Sequence, residues 1–226
     1  MKRVLDLGCG FGFMTEFIAK RVAHDAEMTG VDVFPANEKP YLDAVRSAGR
    51  RGRFICAALE QSLDWPDRFF DLVVASYSLY YFRRLLPEIA RVLAPSGLFF
   101  ASAHSTRSCL DMLDSLGLSP AATDLTLLAL GFSAENAGDQ LREHFEQTVR
   151  IDYHNTLLFD GSPEGEADWL AFVRFKLPLL VPACQQESDA AADAVIEKAR
   201  ALLAREGTII LDKSDAGFRC SGARCR

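Results

Sequence analysis

The chain has 226 residues, 49% of them apolar, enough to bury one sizeable core, with or without a cap on it. Its net charge of -6 argues against a nucleic-acid footprint, which is usually basic. The opening "MKRVLDLGCG" is interrupted by Asp6 and no apolar run approaches ~18 residues, so neither a signal peptide nor a membrane helix is expected, and the expected location is cytoplasmic.

The predicted elements alternate over the front half. "KRVLDLG" (2–8) reads as a buried strand and "FMTEFIAKRVAH" (13–24) as an amphipathic helix. "MTGVDVF" (28–34) is a second strand. A helix centred on "YLDAVRSAG" (41–49) ends at a glycine, and "RFICAAL" (53–59) is a third strand. "FDLVVASYSL" (70–79) is a fourth strand, "RLLPEIARVL" (84–93) a helix stopped by "APSG", and "LFFASAH" (98–104) a fifth strand. Strands and helices alternating in this way imply crossover connections and a parallel sheet, and strands as apolar as "DLVVA" suit a sheet covered on both faces.

After His104 the rhythm changes. Residues 107–146 read as helices with turn signals at "GLSP" and "GFSAENAGD", "TVRIDYHNTLLF" (148–159) as a strand and "DGSPEGE" as a loop. "ADWLAFVRFKLPLL" and "DAAADAVIEKARALLAREG" are further helices, and "TIILDKSDAGFRC" closes the chain with a strand or hairpin. The arginines Arg46, Arg50, Arg51 and Arg53 read as a solvated helix end and loop. No CxxC pair and no zinc-like His/Cys spacing occurs, so no metal site is expected. Cys9 and Cys56 sit in apolar contexts and read as buried thiols, while Cys220 and Cys225 read as incidental reduced thiols.

The chemistry concentrates after the first strand. Gly8, Gly10 and Gly12 form GxGxG at a strand-to-helix turn, where bare backbone permits positive φ and close approach to a ligand. The dinucleotide fingerprint GxGxxG would need a glycine where Phe13 stands. Asp6, just upstream, would repel a pyrophosphate and suits a cationic group instead. Asp32 ends the second strand, where a carboxylate can accept both hydroxyls of a ribose. A ribose, a cationic portion and no phosphate chain are together met by S-adenosylmethionine.

"VLDLGCGFG", "GVDVF", "FDLVVASYSLYYF" and "LLPEIARVLAPSGLFFASAH" resemble, as an ordered set over residues 2–104, the class I S-adenosylmethionine-dependent methyltransferases, and more narrowly their small-molecule, type 11-like branch. The resemblance implies a doubly wound, Rossmann-like α/β fold: seven strands, mostly parallel with a C-terminal antiparallel strand, and helices on both faces. It implies one domain over 1–226, with a cofactor-binding half at 1–104, helical cap segments within 105–182, and a closing helix and strand at 183–226. It further implies that Asp6 works near the methionine amino group, that Gly8, Cys9, Gly10 and Gly12 pass under the cofactor, that Asp32 holds the ribose, and that Val33 and Phe34 lie near the adenine. Ala58 stands where the family often has an acid for the adenine amino group, which leaves that task to the backbone at Leu59, with Glu60 as a side-chain substitute. Ser76 and Tyr77 end the fourth strand beside the methionine arm. Relatives usually carry helices before the first strand, so cover for the cofactor would come from later segments, from upstream residues or from a partner.

Methyl transfer to an acceptor that carries a proton needs a base. His104, directly after the fifth strand, is the candidate, the alternative being a histidine that bonds a loop. Tyr77 is the candidate aromatic wall for the sulfonium, and Tyr80 and Tyr81 read equally as packing. His154 reads as structural or surface, and His24 and His144 as exposed helix residues. The expected function is transfer of a methyl group by in-line displacement to a small-molecule acceptor. The alternative is a catalytically weak or inactive binding partner with the same fold. A nicotinamide oxidoreductase is disfavoured by Phe13 and Asp6. No nucleic-acid or membrane partner is expected, and a homodimer is left open.

Overall fold

The computed structural model describes residues 1–118, 130–180 and 189–224. Strands β1 (Arg3–Leu7), β2 (Glu27–Asp32), β3 (Arg51–Cys56), β4 (Phe70–Ser76), β5 (Leu93–Ala103), β6 (Phe145–Asp160) and β7 (Thr208–Ala223) form one sheet in the order β3-β2-β1-β4-β5-β7-β6. Pairing is parallel from β3 to β5, and β7 runs antiparallel to β5, matching Phe99 with Cys220 and Ala103 with Ala216. The order reverses between β1 and β4, and in such sheets a crevice opens at the carboxyl ends of those strands. This is the mostly parallel, Rossmann-like sheet that the sequence implies.

Helices α1 (Phe13–Ala19), α2 (Glu38–Ser47), α3 (Leu79–Phe82) and α4 (Leu86–Val92) make the front crossovers, and α5 (Thr106–Ser115), α6 (Ala137–Arg142), α7 (Pro163–Leu180) and α8 (Asp189–Glu206) follow. Successive residues of β1 and β4 are all buried, Val4 and Leu5, Val73 and Val74 alike. Side chains on a strand alternate faces, so both faces here are covered. On one face Val4, Met28, Leu72 and Val74 pack with Tyr41 and Val45 of α2 and Ala19 of α1.

The chain divides into two compact units. The first comprises Met1–Ala103, Ala134–Ile151 and Ala216–Arg226, and the second His104–Ser133 and Asp152–Asp215. The second has its own core, built on the fully buried Trp169 with Leu113, Val173, Ala199 and Leu203, and the Trp169 indole N–H donates to the Ala199 carbonyl at 2.9 Å.

Three expectations shift. The loop expected at "DGSPEGE" ends in α7, because Pro163 supplies a first-turn residue that needs no N–H and Glu164 and Glu166 favour the positive end of the helix dipole. The 84–93 helix ends at Val92, and Leu93 joins β5 opposite Phe70 across a register shift. Cys56 is exposed rather than buried: it is the last residue of β3, and β3 is the outer strand of the sheet. Cys184, Cys225 and most of the apolar stretch 125–132 lie outside the described residues.

Candidate active site

The glycine turn is held by backbone before any ligand is considered. Gly8 and Cys9 donate their N–H groups to the Val31 carbonyl at 2.8 and 3.1 Å, tying the turn to β2. Gly8, Gly10 and Gly12 take φ of 67°, 52° and 88°, a region that costs an L residue about 1–2 kcal/mol. Two of these positions are also sterically closed. A Cβ at Gly8 would lie 2.4 Å from Ser78 Cβ, and one at Gly12 3.1 Å from Tyr41 Cα. A Cβ at Gly10 would meet nothing among the described residues within 4 Å, so on this side the bare backbone faces open space.

Asp32 organises this turn. Its Oδ2 accepts the Gly10 N–H at 2.9 Å, and its Oδ1 accepts the Phe34 N–H at 2.9 Å and the Asn37 side-chain amide at 3.0 Å. The expected ribose acceptor is thus also the brace of the loop. Beneath the turn, Asp6 is buried and accepts the Thr15 hydroxyl. Burial, resisted by the Thr15 bond and reinforced by Asp32, pushes its carboxyl up to about 6. Burial likewise raises the Cys9 thiol, so Cys9 is a packed neutral neighbour of the turn. Around these polar groups Phe11, Phe13, Val33 and Phe34 stand exposed, Phe13 by 77% and Phe34 by 64%.

Ser76 and Tyr77 follow at the end of β4. The Ser76 and Ser102 hydroxyls lie 2.9 Å apart, and the Tyr77 N–H donates to the Ser102 carbonyl at 3.1 Å. Tyr77 holds φ of 54°, one of two non-glycine residues with positive φ among those described, and such strain gathers at functional positions. Ser78 donates to the Leu7 carbonyl at 2.6 Å, which locks this segment onto the start of the glycine turn. Leu59 and Glu60 face a different group: with Tyr80, Tyr81, Phe82, Arg83 and Arg84 they line an open cleft of about 400 Å³. The Ala57 N–H donates to the Asp32 carbonyl at 3.0 Å, so the segment leading to Leu59 starts beside Asp32.

His104 belongs to the second unit, one peptide bond beyond β5. Its Nδ1 lies 3.2 Å from Asp215 Oδ2 and 3.2 Å from Lys213 Nζ, and Lys213 Nζ lies 3.4 Å from Asp215 Oδ2. Asp215 Oδ1 accepts the Ser105 N–H at 3.3 Å. Burial, reinforced by the ammonium groups of Lys213 and Lys176 and opposed by Asp215, pulls His104 down to about 4. Burial raises Asp215, but His104, Lys213 and the Ser105 N–H outweigh it and hold the carboxyl below its ordinary value. Tyr153, half-buried beside this acid, is raised by burial and then by Asp215. His104 is therefore a neutral imidazole at pH 7 with a fixed acidic neighbour. Asp215 and Lys213 escape a sequence reading because more than 100 residues separate them from His104. The one hint is an acid set inside the apolar pattern of the last strand. His154 bonds only as expected of a surface residue, its Nδ1 2.9 Å from the Ser214 hydroxyl. No cluster of three metal-ligating side chains occurs among the described residues.

Residues 4–97 match the model of a methyltransferase domain. Among curated proteins the chain is similar to a malonyl-[acyl-carrier protein] O-methyltransferase of Halorhodospira halophila, 39% identical over 102 residues, covering 42% of this chain and 32% of that protein. It is similar also to a ubiquinone biosynthesis O-methyltransferase of Idiomarina loihiensis, 32% identical over 104 residues, covering 45% and 42%. The chain thus spans less than half the length of these relatives. The solved structure of the YcgJ protein from Bacillus subtilis superposes with a TM-score of 0.54 at 18% identity, covering all of this chain and 92% of that one, a likeness of fold. Residues 4–97, with their glycine turn, braced acid and sheet order, are thus the part of the chain that is similar to a methyltransferase domain.

Proposed function

We propose that the chain moves a methyl group from S-adenosylmethionine to a small-molecule acceptor. The observation that carries this reading is the glycine turn braced by Asp32, with open space at Gly10 and a buried acid beneath, inside the matched domain. The residues fit the cofactor. Asp32 offers carboxylate oxygens to a ribose, and Asp6, raised by burial to about 6, is the group a cationic amine would stabilise as its anion. Val33 and Phe34 give the adenine an apolar neighbour, Leu59 and Glu60 its polar edge, and Ser76 and Tyr77 flank the methionine arm. When bound, S-adenosylmethionine supplies an electrophilic methyl group on a sulfonium.

The chain's own work is to position the acceptor, exclude water and take a proton. His104, neutral and oriented by Asp215, is the proton acceptor in this reading, and Tyr77 is the aromatic wall beside the reacting carbon. The named relatives, both O-methyltransferases, support an oxygen acceptor. The test is incubation of the chain with isotopically methyl-labelled S-adenosylmethionine and a metabolite extract, followed by mass spectrometry. A product heavier than its precursor by one CH₂ and carrying the label is the expected result. S-adenosylmethionine binding without any labelled product would favour a binding role instead.

A further inference from the structure

Tyr41 of α2 is completely buried, and its hydroxyl has no hydrogen-bond partner among the described residues. A buried polar group left in this state lowers stability, and a phenylalanine would fill the same space without that cost. The ring is also pressed against the sheet at one chosen point. Gly30 lies inside β2, where glycine weakens a strand, and a Cβ there would stand 2.5 Å from Tyr41 Cζ and 2.7 Å from Cys9 Sγ. In the strand register Gly30 pairs with Asp6 on one side and with Phe54 on the other, and the Tyr41 ring lies 5.8 Å from that of Phe54. The glycine therefore brings the polar end of Tyr41 to the strand beside Asp6, under the glycine turn.

Burial raises the Tyr41 phenol, and Asp6 and then Cys9 add to the rise. The Thr15 hydroxyl is close enough to oppose it, yet the pair falls short of hydrogen-bond geometry. Thr15 is itself fully buried and donates its proton to Asp6. A hydroxyl that donates once keeps two lone pairs, so Thr15 can still accept. Tyr41, Thr15 and Asp6 are thus a donor, a relay and an acceptor, with the first link open. Asp32 is committed to Gly10, Phe34 and Asn37, and Cys9 is a neutral thiol and a weak acceptor. We propose that Tyr41 is a positioning residue whose hydroxyl closes onto Thr15 when a ligand cation engages Asp6, so that the turn favours ligands carrying that cation. This deepens the reading of the turn as an S-adenosylmethionine site and rests on it. A cation at Asp6 holds the carboxyl ionised, which keeps the proton on Thr15 and polarises the Thr15 oxygen as an acceptor. Bonds in such a chain strengthen one another in a low-dielectric interior.

The test titrates the full chain and Tyr41→Phe with two ligands by calorimetry. One is S-adenosylmethionine, and the other is methylthioadenosine, which keeps the adenosine and the sulfur but carries no cation. Tyr41→Phe is expected to bind S-adenosylmethionine about five- to tenfold more weakly, the worth of one neutral hydrogen bond, and methylthioadenosine as before. Without ligand it is expected to melt about 2–4 °C higher, because the unpaired hydroxyl is gone. A tyrosine with a structural role alone would move stability and both affinities in the same direction. Thr15→Val removes the relay and should abolish the effect of Tyr41→Phe on S-adenosylmethionine affinity, whereas Thr15→Ser should retain it. Equal losses for the two ligands, a lower melting temperature, or a loss that persists in Thr15→Val would overturn the proposal. If Thr15→Val fails to fold, the two-ligand comparison decides. A parent chain that binds no S-adenosylmethionine overturns the cofactor reading and this proposal with it. A parent that binds it, beside a Tyr41→Phe variant that binds it as tightly, overturns the proposal alone.

Discussion

Asp6 and Asp32 are both acids at the glycine turn, yet their surroundings give them opposite tasks. Asp32 is satisfied by three N–H donors, so Asp32→Ala removes a brace together with the proposed ribose acceptor. S-adenosylmethionine affinity should fall by roughly 1–3 kcal/mol in calorimetry, the cost of leaving polar groups unpaired. Unchanged affinity would place the ribose elsewhere. Asp6 has the harder position: burial raises it from 3.8 to about 6. An acid whose folded pKa is raised contributes stability below its unfolded value and loses it as pH climbs through the folded one. Asp6→Asn should therefore melt higher than the parent at pH 7.5, by at most about 3 kcal/mol, and the gain should vanish near pH 4. A gain independent of pH would mean that the buried charge is not its cause. At this scale the glycines and their two acids could be read from spacing alone, because each is local. The His104–Asp215–Lys213 cluster could not, since its members meet only when the last strand comes home. The exposure of Cys56 escapes the sequence for a related reason: its apolar sequence neighbours say nothing about its place at the end of an outer strand.

At the scale of elements, one turn contains glycines with separable duties. Gly8 is closed by Ser78 and held at positive φ, so Gly8→Ala adds overpacking to backbone strain and should cost roughly 2–4 kcal/mol of stability. Gly10 has the same sign of φ but open space, so Gly10→Ala should cost only about 1 kcal/mol. If the open space is where the ligand passes, Gly10→Ala keeps its fold and loses S-adenosylmethionine, a pairing that chemical denaturation and calorimetry together would reveal. Equal stability losses at the two positions would refute the distinction. The strands and crossovers around this turn were legible because burial on both faces leaves continuous apolar runs. The start of α7 was not, because Gly, Ser and Pro also write loops, and only the packing of Trp169 and Val173 below decides for a helix.

For the whole molecule, the two units carry their buried titratable groups with opposite signs. In the first unit Asp6 is raised, and acid relieves it. In the second His104 is lowered from 6.5 to about 4. A base whose folded pKa is depressed contributes stability above its unfolded value, and that contribution drains away as pH falls from about 6.5 through 4. Asp215, also held low, adds to the same acid loss once pH drops below its ordinary range. The two tryptophans of the chain allow the units to be followed separately, because Trp65 lies in the first and the buried Trp169 in the second. In a Trp65→Phe background, Trp169 emission should report a second unit that unfolds at progressively lower denaturant between pH 6.5 and 4.5. Adding His104→Gln, which cannot take up the proton, should flatten that dependence, and Asp6→Asn should leave it untouched. A Trp169 transition that responds to Asp6→Asn as strongly as to His104→Gln would show that the two cores melt as one and that their titrations cannot be assigned unit by unit.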